Sequence, residues 1–316
     1  MMRILVTGAN GFVGSALCET LQRRGFKVRK AVRSGGQDPD TVNVGSICGD
    51  TDWSGALRGC DVVVHLAARV HVMNDTEHDP LQAFRKVNVE GTLNLADMAA
   101  MSGVKRFVFI SSIKVNGEGT APGSRYNADD EAKPSDPYGV SKHEAEEALR
   151  RLAPGTGMEV VCIRPVLVYG PGVTANFLSM MRWLHRGVPL PLGSIDNSRS
   201  LVALENLIDL IVTCIDHRAA ANQVFLVSDG EDVSTTELLR RLGIALGKPA
   251  RLFPVPSRLL SFFARMVGKE AVAERLLSSL SVDIVKTRTL LNWEPPLGLD
   301  EGLRRTAQHY LAEPKE

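Results

Sequence analysis

"ILVTGANGFVGSAL", residues 4–17, sets three glycines directly behind an apolar run and directly ahead of a helical one. Residues 4–7 read as a buried strand and 12–24 as a helix. Gly8, Gly11 and Gly14 fall at the junction. Glycine there lets the backbone turn tightly and approach a pyrophosphate, which then sits at the helix N-terminus. Phe12 and Val13 complete the turn, so Gly8, Gly11, Phe12, Val13 and Gly14 form the expected dinucleotide-binding group. A lone glycine triplet would fit an ordinary tight turn as well. Its position between a strand and a helix gives it weight.

Outward from this turn, β-rich runs at 27–32, 61–66, 106–110 and 159–164 alternate with helical stretches at 81–101 and 137–152. That rhythm implies parallel strands joined by crossover helices, an α/β fold with a doubly wound sheet of the Rossmann type. After "VYGPG" (168–172) the rhythm weakens. Residues 1–167 are expected to form the dinucleotide-binding domain, with 201–228 and 292–316 returning to it. Residues 168–200 and 229–291 are then a smaller C-terminal substrate-binding region over the carboxyl edge of the sheet. Ser234 and Glu237 form a capping-box signature for a helix in that region. The stretch 258–280, "RLLSFFARMVGKEAVAERLLSSL", is amphipathic. Its acidic residues and modest basic content favour packing or a substrate lid over a membrane surface.

Composition narrows the function classes. The chain has 316 residues, 44% hydrophobic, enough to bury a full core. A formal net charge of +1 and the lack of like-charge runs argue against a nucleic-acid partner. Cys18, Cys48, Cys60, Cys162 and Cys214 contain no CxxC pair, which fits reduced thiols in the cytoplasm and argues against metal ligation. No signal-peptide pattern opens the chain, and no uncharged apolar run reaches the ~18 residues that span a bilayer. A cytoplasmic protein is expected.

"DPYGVSK" (136–142) carries the reacting groups. Asp136 suits an N-cap and Pro137 the first helical position, so a helix here needs no functional reason. Tyr138 and Lys142, at i and i+4, nevertheless share one helix face. Lowering a tyrosine hydroxyl from pH ~10 to about 7 takes roughly 4 kcal/mol of preferential stabilisation of the phenolate. A neighbouring ammonium and a helix N-terminus both act in that direction.

The GxxGxxG spacing together with Tyr138-x-x-x-Lys142 resembles the extended short-chain dehydrogenase/reductase family, which contains nucleotide-sugar epimerases, dehydratases and 4-ketoreductases. Further segments fall in the family's order along nearly the whole chain. "CGD" (48–50) is similar to the adenine-contacting turn, making Asp50 a candidate. "HLAA" (65–68) resembles the strand end lining the cofactor, with Leu66, Ala67 and Ala68. Asn88 in "NVEGTLNL" resembles the family's helix asparagine. "SSIKVNG" (111–117) matches the segment with the catalytic serine, placing that role on Ser112 rather than Ser111. "LNWEPP" (291–296) resembles the closing motif.

The resemblance implies that Tyr138 exchanges a proton with a substrate oxygen during hydride transfer, that Lys142 lowers its pKa and holds the cofactor ribose, and that Ser112 hydrogen-bonds the same oxygen. Asn176 in "TANFLSMM" and Arg199 in "NSRSLVALENL" match residues that meet a nucleotide-sugar diphosphate, and Glu205 supplies an acidic helix start. Related 4,6-dehydratases carry an Asp-Glu pair where this chain has Ile113 and Lys114, so dehydration is not expected. A homodimer through helices near 81–101 and 137–152 is one assembly the family uses.

The second strand ends in Arg29, Lys30, Ala31, Val32 and Arg33. An acid usually holds a ribose 2′-hydroxyl at this position, and a cation a 2′-phosphate. With Val32 in the acid's place, NADP(H) is favoured over NAD(H), Arg33 being the best phosphate partner and Arg29 the second. The resulting expectation is an NADPH-dependent 4-ketoreductase acting on a UDP-4-keto-6-deoxy-N-acetylhexosamine, as in UDP-N-acetylquinovosamine or UDP-N-acetylfucosamine synthesis for surface polysaccharides. The alternative is a UDP-hexose 4-epimerase with tightly bound NAD. A non-catalytic dinucleotide sensor would lack the serine, tyrosine and lysine found here.

Overall fold

The computed structural model describes all residues except 71–78, 267, 269 and 313–316. Strand β1 (Arg3–Thr7) opens the chain, with Ile4, Leu5 and Val6 fully buried. Continuous burial follows from cover on both faces, as parallel sheets require. Helix α1 (Phe12–Arg23) turns Leu17, Cys18 and Leu21 onto the sheet. There follow β2 (Lys27–Val32), β3 (Thr41–Asn43), α2 (Ser54–Leu57) and β4 (Val62–His65). The helix expected at 81–101 is interrupted: α3 (Pro80–Arg85) passes through a π-helical turn, Lys86–Glu90, into α4 (Gly91–Met101). Such a turn adds a residue to the helical repeat and often marks a functional site. Here it contains Asn88, which is buried.

Next come β5 (Arg106–Ile110), α5 (Pro137–Thr156), β6 (Glu159–Pro165) and β7 (Leu167–Tyr169). The later part holds α6 (Ala175–His185), β8 (Arg199–Ala203), α7 (Leu204–Asp216), β9 (Val224–Val227) and β10 (Asp232–Val233). It closes with α8 (Thr235–Ala245), α9 (Ser257–Met266), α10 (Glu270–Leu277), α11 (Val285–Leu291) and α12 (Leu299–Ala312).

The main sheet is parallel throughout, in the order β3-β2-β1-β4-β5-β6-β9. The chain winds outward from β1 to β3, then crosses back to β4 on the other side. The switch point therefore lies between β1 and β4, where the carboxyl ends of a doubly wound sheet form a crevice. One core packs α1, α7 and α11 on one face; the other packs α2, α4 and α5 on the opposite face. The expected Rossmann-type α/β fold is the one observed.

A smaller sheet, β10-β8-β7, carries its own core with α6, α8 and α12. The returning segments divide differently from expectation. β8 belongs to the small sheet, whereas α7 and β9 join the main one. Trp293 lies in the main core and donates to Asp209 at 3.0 Å, but α12 packs Leu299, Leu303 and Ala307 onto Leu238, Leu239 and Leu242 of α8. The reason is periodic: these residues recur every fourth position, forming a stripe that only another helix can cover. Residues 313–316 of the expected returning segment lie outside the described residues. Among the described residues no helix is long and apolar enough to cross a membrane.

Candidate active site

At the switch point the glycines are held by their lack of side chains. Gly8 has φ +65°, and a Cβ there would come within 3.0 Å of Ala67 N. A Cβ on Gly14 would stand 2.1 Å from the carbonyl oxygen of Gly8, and one on Gly11 3.2 Å from it. That oxygen already accepts from Gly11 N at 2.9 Å. The turn is thus wound onto itself, with α1 directly behind, the cradle a pyrophosphate requires. Phe12 and Val13, half-buried, form the first turn of α1.

Thr7 ties this turn to the next strand. Its Oγ1 accepts from Leu66 N at 3.2 Å and Ala67 N at 3.1 Å, so its own proton is directed to His65 Nδ1 at 2.7 Å. The other ring nitrogen then donates to Thr92 Oγ1 at 3.0 Å. Burial, then the Lys142 charge, push His65 down to about 3, so the ring is neutral and structural. Leu66, Ala67 and Ala68 follow, half-buried at the carboxyl end of β4.

Asn88 does more than line this crevice. Its Oδ1 accepts from Arg69 N at 2.8 Å, while Nδ2 donates to Arg69 O at 3.0 Å and Ser141 Oγ at 2.9 Å. Ser141 in turn donates to Tyr138 O at 2.8 Å. The asparagine therefore joins the exit of β4 to the first turn of α5.

That first turn is built as the sequence implies. Asp136 caps Gly139 N at 2.6 Å and Pro137 stands at the first helical position. Lys114 pairs with Asp136 and, at 3.2 Å, with Glu118, so it braces the cap. Ile113 is core. Neither Ile113 nor Lys114 offers the carboxylate that dehydration would need. Gly139 lets α5 approach this segment, since a Cβ there would meet Lys114 O at 2.8 Å.

Ser112 lies beside the Tyr138 phenol, and Phe84 meets the tyrosine ring edge-on at 6.1 Å. Burial and the Asp136 carboxylate push the phenol up to about 12, and Ser112 opposes this. The lowering expected from Lys142 is not met in this arrangement. The Lys142 ammonium lies 4.2 Å from the centre of the Phe109 ring, buried, and among the described residues no hydrogen bond joins it to Tyr138. Burial pulls the amine down to about 7 against the pull of Glu146 and Cys162. A buried ammonium without an oxygen acceptor suits the hydroxyls of a nicotinamide ribose. Ser111 is buried with its hydroxyl unpartnered.

Beneath Lys142 lies an arrangement the sequence reading missed. Arg164 donates to both oxygens of Glu146, Nε to Oε1 at 2.9 Å and Nη2 to Oε2 at 2.5 Å, and its Nη1 reaches Asn116 Oδ1 at 3.0 Å. All three residues are buried. The triad joins α5, β6 and the turn after Ser112. The position of Glu146, four residues beyond Lys142, was the available signal.

Farther from the switch point, Arg33 and Asp50 are exposed, and Val32 is buried. Arg29 is turned away from the cofactor face: it donates to the carbonyls of Gly55, Ala56 and Arg58 at 3.2, 3.3 and 2.8 Å, closing α2. Arg29 therefore holds the fold, and the expected second phosphate partner drops out. In the small region Asn176 is exposed at the start of α6. Arg199 is half-buried and donates to the carbonyls of Arg275 and Ser278 at 2.9 and 3.1 Å. Among the described residues it has no carboxylate partner, and burial holds its pKa below the usual guanidinium value, so its charge is open to an anion. Tyr169 of "VYGPG" is structural: its hydroxyl donates to Asp229 at 2.7 Å, and the same carboxylate accepts from Ala203 N and Asn206, each at 2.7 Å. Among the described residues no His, Cys, Asp and Glu group could hold a metal ion.

A doubly wound sheet, a glycine cradle at its switch point and a Ser-Tyr contact beside a buried lysine define an enzyme of the extended short-chain dehydrogenase/reductase type, an NAD(P)-dependent oxidoreductase. Residues 4–228 match the NAD dependent epimerase/dehydratase family, and the chain belongs to it. It is 53% identical to a UDP-glucose 4-epimerase of Vibrio cholerae over 312 residues, covering 98% of this chain and 95% of that one. A UDP-glucose 4-epimerase of Mycolicibacterium smegmatis is 29% identical, covering 98% of each. A UDP-glucuronic acid 4-epimerase from Bacillus cereus, solved with NAD, superposes with a TM-score of 0.78 at 24% identity, covering 98% of this chain and 96% of that one.

The first of these likenesses corrects the expected 4-ketoreductase activity, including its narrower quinovosamine and fucosamine form: at 53% identity over nearly the whole chain, the similarity is to an epimerase. The reductase expectation leaned on the missing acid at Val32 and on Arg33, both at the rim of the cofactor site. The reacting residues themselves do not separate the two activities.

Proposed function

We propose that this protein is a UDP-hexose 4-epimerase that keeps its dinucleotide through the catalytic cycle. The observation that carries the proposal is the full-length likeness to the Vibrio cholerae UDP-glucose 4-epimerase. Ser112 beside Tyr138 supplies the proton-transfer pair such an enzyme needs, as it would for a reductase. Bound nicotinamide would supply a hydride acceptor and then a donor. Gly8, Gly11 and Gly14 would hold its pyrophosphate, with Leu66, Ala67 and Ala68 along one side, and Lys142 would meet its ribose.

Tyr138 takes the proton of the sugar C4 hydroxyl and returns it to the same oxygen once the 4-ketose has turned its other face to the hydride donor, so one phenol serves both half-reactions. Ser112 donates to the C4 oxygen as its charge changes. Asn88, through Ser141, fixes the backbone carrying Tyr138. Arg199, with Asn176, holds the diphosphate and leaves the sugar free to present either face.

The working cofactor in this reading is NAD(H), and the preference for NADP(H) that Arg33 suggests is its rival. Arg33→Ala should leave both affinities nearly unchanged; selective weakening of the phosphorylated form would establish the rival. The test of the whole reading is interconversion of UDP-glucose and UDP-galactose, or of their N-acetyl forms, without added cofactor, by protein that purifies with NAD. Absence of interconversion from NAD-loaded protein refutes it.

A further inference from the structure

Sequence patterning favours packing or a substrate lid for residues 258–280, because acids accompany the apolar residues. The structure separates those charges. α9 carries Arg258 and Arg265 and no acid, whereas Glu270 and Glu274 belong to α10. Leu259, Phe262, Phe263 and Met266 recur at i, i+3, i+4 and i+7, a single stripe, and are 48, 58, 59 and 70% exposed. The two phenylalanine rings meet edge-on at 5.7 Å. Leu260 and Ala264, on the opposite flank, are only half-buried, so the helix rests shallowly on the protein.

At about 100° per residue, Arg258 and Arg265 border one edge of the apolar stripe. Their stems can lie along the stripe while the guanidinium heads reach outward. Across residues 251–280 five basic residues face two acidic ones, in a chain whose net charge is only +1, so the positive excess is local.

We propose that α9 is a peripheral docking helix that seats this protein on an anionic bilayer surface, its stripe entering the acyl boundary and its arginines meeting lipid phosphates. Two other occupants fit less well. A lid over a nucleotide sugar would face hydroxyls and phosphates, which four large apolar side chains do not complement. A second copy would gain roughly 450 Å² from the stripe, taking about 200 Å² per full side chain, against about 800 Å² per partner in a stable interface. Docking also has a neighbour in the substrate region: α9 packs on α10, and Arg199 donates to the carbonyl of Arg275 in the last turn of α10 and to that of Ser278 just beyond it.

The experiment is co-sedimentation of the full chain with vesicles of phosphatidylcholine alone and with about one-third phosphatidylglycerol, at low and high salt. Binding is expected to the anionic vesicles and to weaken with salt. Phe262→Glu with Phe263→Glu should abolish it, and Arg258→Glu with Arg265→Glu should lower it at least about tenfold. Both variants should keep the wild-type melting temperature and turnover in solution, since these side chains are mostly exposed and none of them belongs to the proposed site. No partition of the wild type, or partition unchanged in the phenylalanine variant, overturns the proposal. So does a wild-type dimer that the phenylalanine variant turns into a monomer, or a raised KM for nucleotide sugar without vesicles; these would assign the stripe to a second copy or to a lid.

Discussion

Replacing Lys142 by Met should kill turnover and stabilise the cofactor-free protein. The amine is buried over Phe109, with no oxygen acceptor among the described residues, and burial lowers it from 10.5 to about 7. An unfolded chain keeps that proton until near its ordinary value. Between the two pKa values the unfolded state binds more protons, so stability rises with pH through this window, and the lysine's penalty is greatest at and below pH 7. Integrating the difference gives roughly 4 kcal/mol at pH 7 and roughly 2 kcal/mol at pH 9. Met keeps an unbranched chain against the ring but forfeits the cation–π contact, worth about 1–2 kcal/mol when desolvated.

The net gain is then roughly 2–3 kcal/mol at pH 7. Unfolding entropy near 2.1 cal/mol/K per residue converts this to about 3–5 °C for a chain of this length. The assay is thermal unfolding of wild type and Lys142→Met, stripped of cofactor, at pH 7 and pH 9. The variant should melt higher at pH 7 and by a smaller margin at pH 9. Added NAD should raise the wild type more, because only it has an ammonium for the ribose. A variant that melts lower at pH 7, or a margin that widens with pH, would refute the reasoning.

Tyr138→Phe should retain dinucleotide affinity and lose about 10²–10⁴-fold in rate, the usual worth of a positioned proton donor and acceptor; more than a tenth of the wild-type rate would remove it from the mechanism. Gly14→Ala should abolish dinucleotide binding and cost on the order of 1–3 kcal/mol or more, because its Cβ would stand 2.1 Å from the Gly8 carbonyl. Gly11→Ala, at 3.2 Å from the same atom, should bind measurably; equal loss in both variants would mean that packing against Gly8 is not what the glycines serve. Tyr169→Phe should cost about 1–3 kcal/mol in denaturant unfolding, since buried Asp229 loses one of its donors. The KM for nucleotide sugar should stay near wild type, and a large rise would place Tyr169 in the substrate site.

Periodicity made the main sheet readable. β2, β5 and the starts of α1 and α5 fall where patterning puts them, because a strand-length run, a glycine turn or an Asp-Pro cap marks each boundary. β3 and β10 escaped, being three and two residues long, too short for any period to repeat. The π-helical turn escaped for a different reason. One added residue leaves hydrophobicity nearly unchanged, yet it decides where Asn88 points. The family resemblance named Ser112, Tyr138 and Lys142, but not the Phe109 ring over which the lysine amine lies. Spacing says which residues share a helix face; a neighbouring strand decides what that face meets.

Why the activity was misread while the reacting residues were named follows from the chemistry. A ketoreductase and an epimerase both need one hydroxyl that gives or takes a proton at C4 and one donor to the developing charge. Microscopic reversibility lets one such pair, the roles proposed for Tyr138 and Ser112, serve either direction. The two activities differ in whether the dinucleotide leaves after each hydride transfer and whether the ketone turns over within the site. Neither is written in the proton-transfer groups. The buried links behind them hold them in place: Thr7 to His65 to Thr92, Asn88 to Ser141, and Glu146 to Arg164 to Asn116 bind β1, β4, β6, α4 and α5 at the carboxyl edge of the sheet. Such groups are costly to leave unpaired, so together they fix the geometry in which a proton can move. Retention of the cofactor is a separate property, so purification with or without bound NAD, and not the placement of Tyr138 and Ser112, tells the two activities apart.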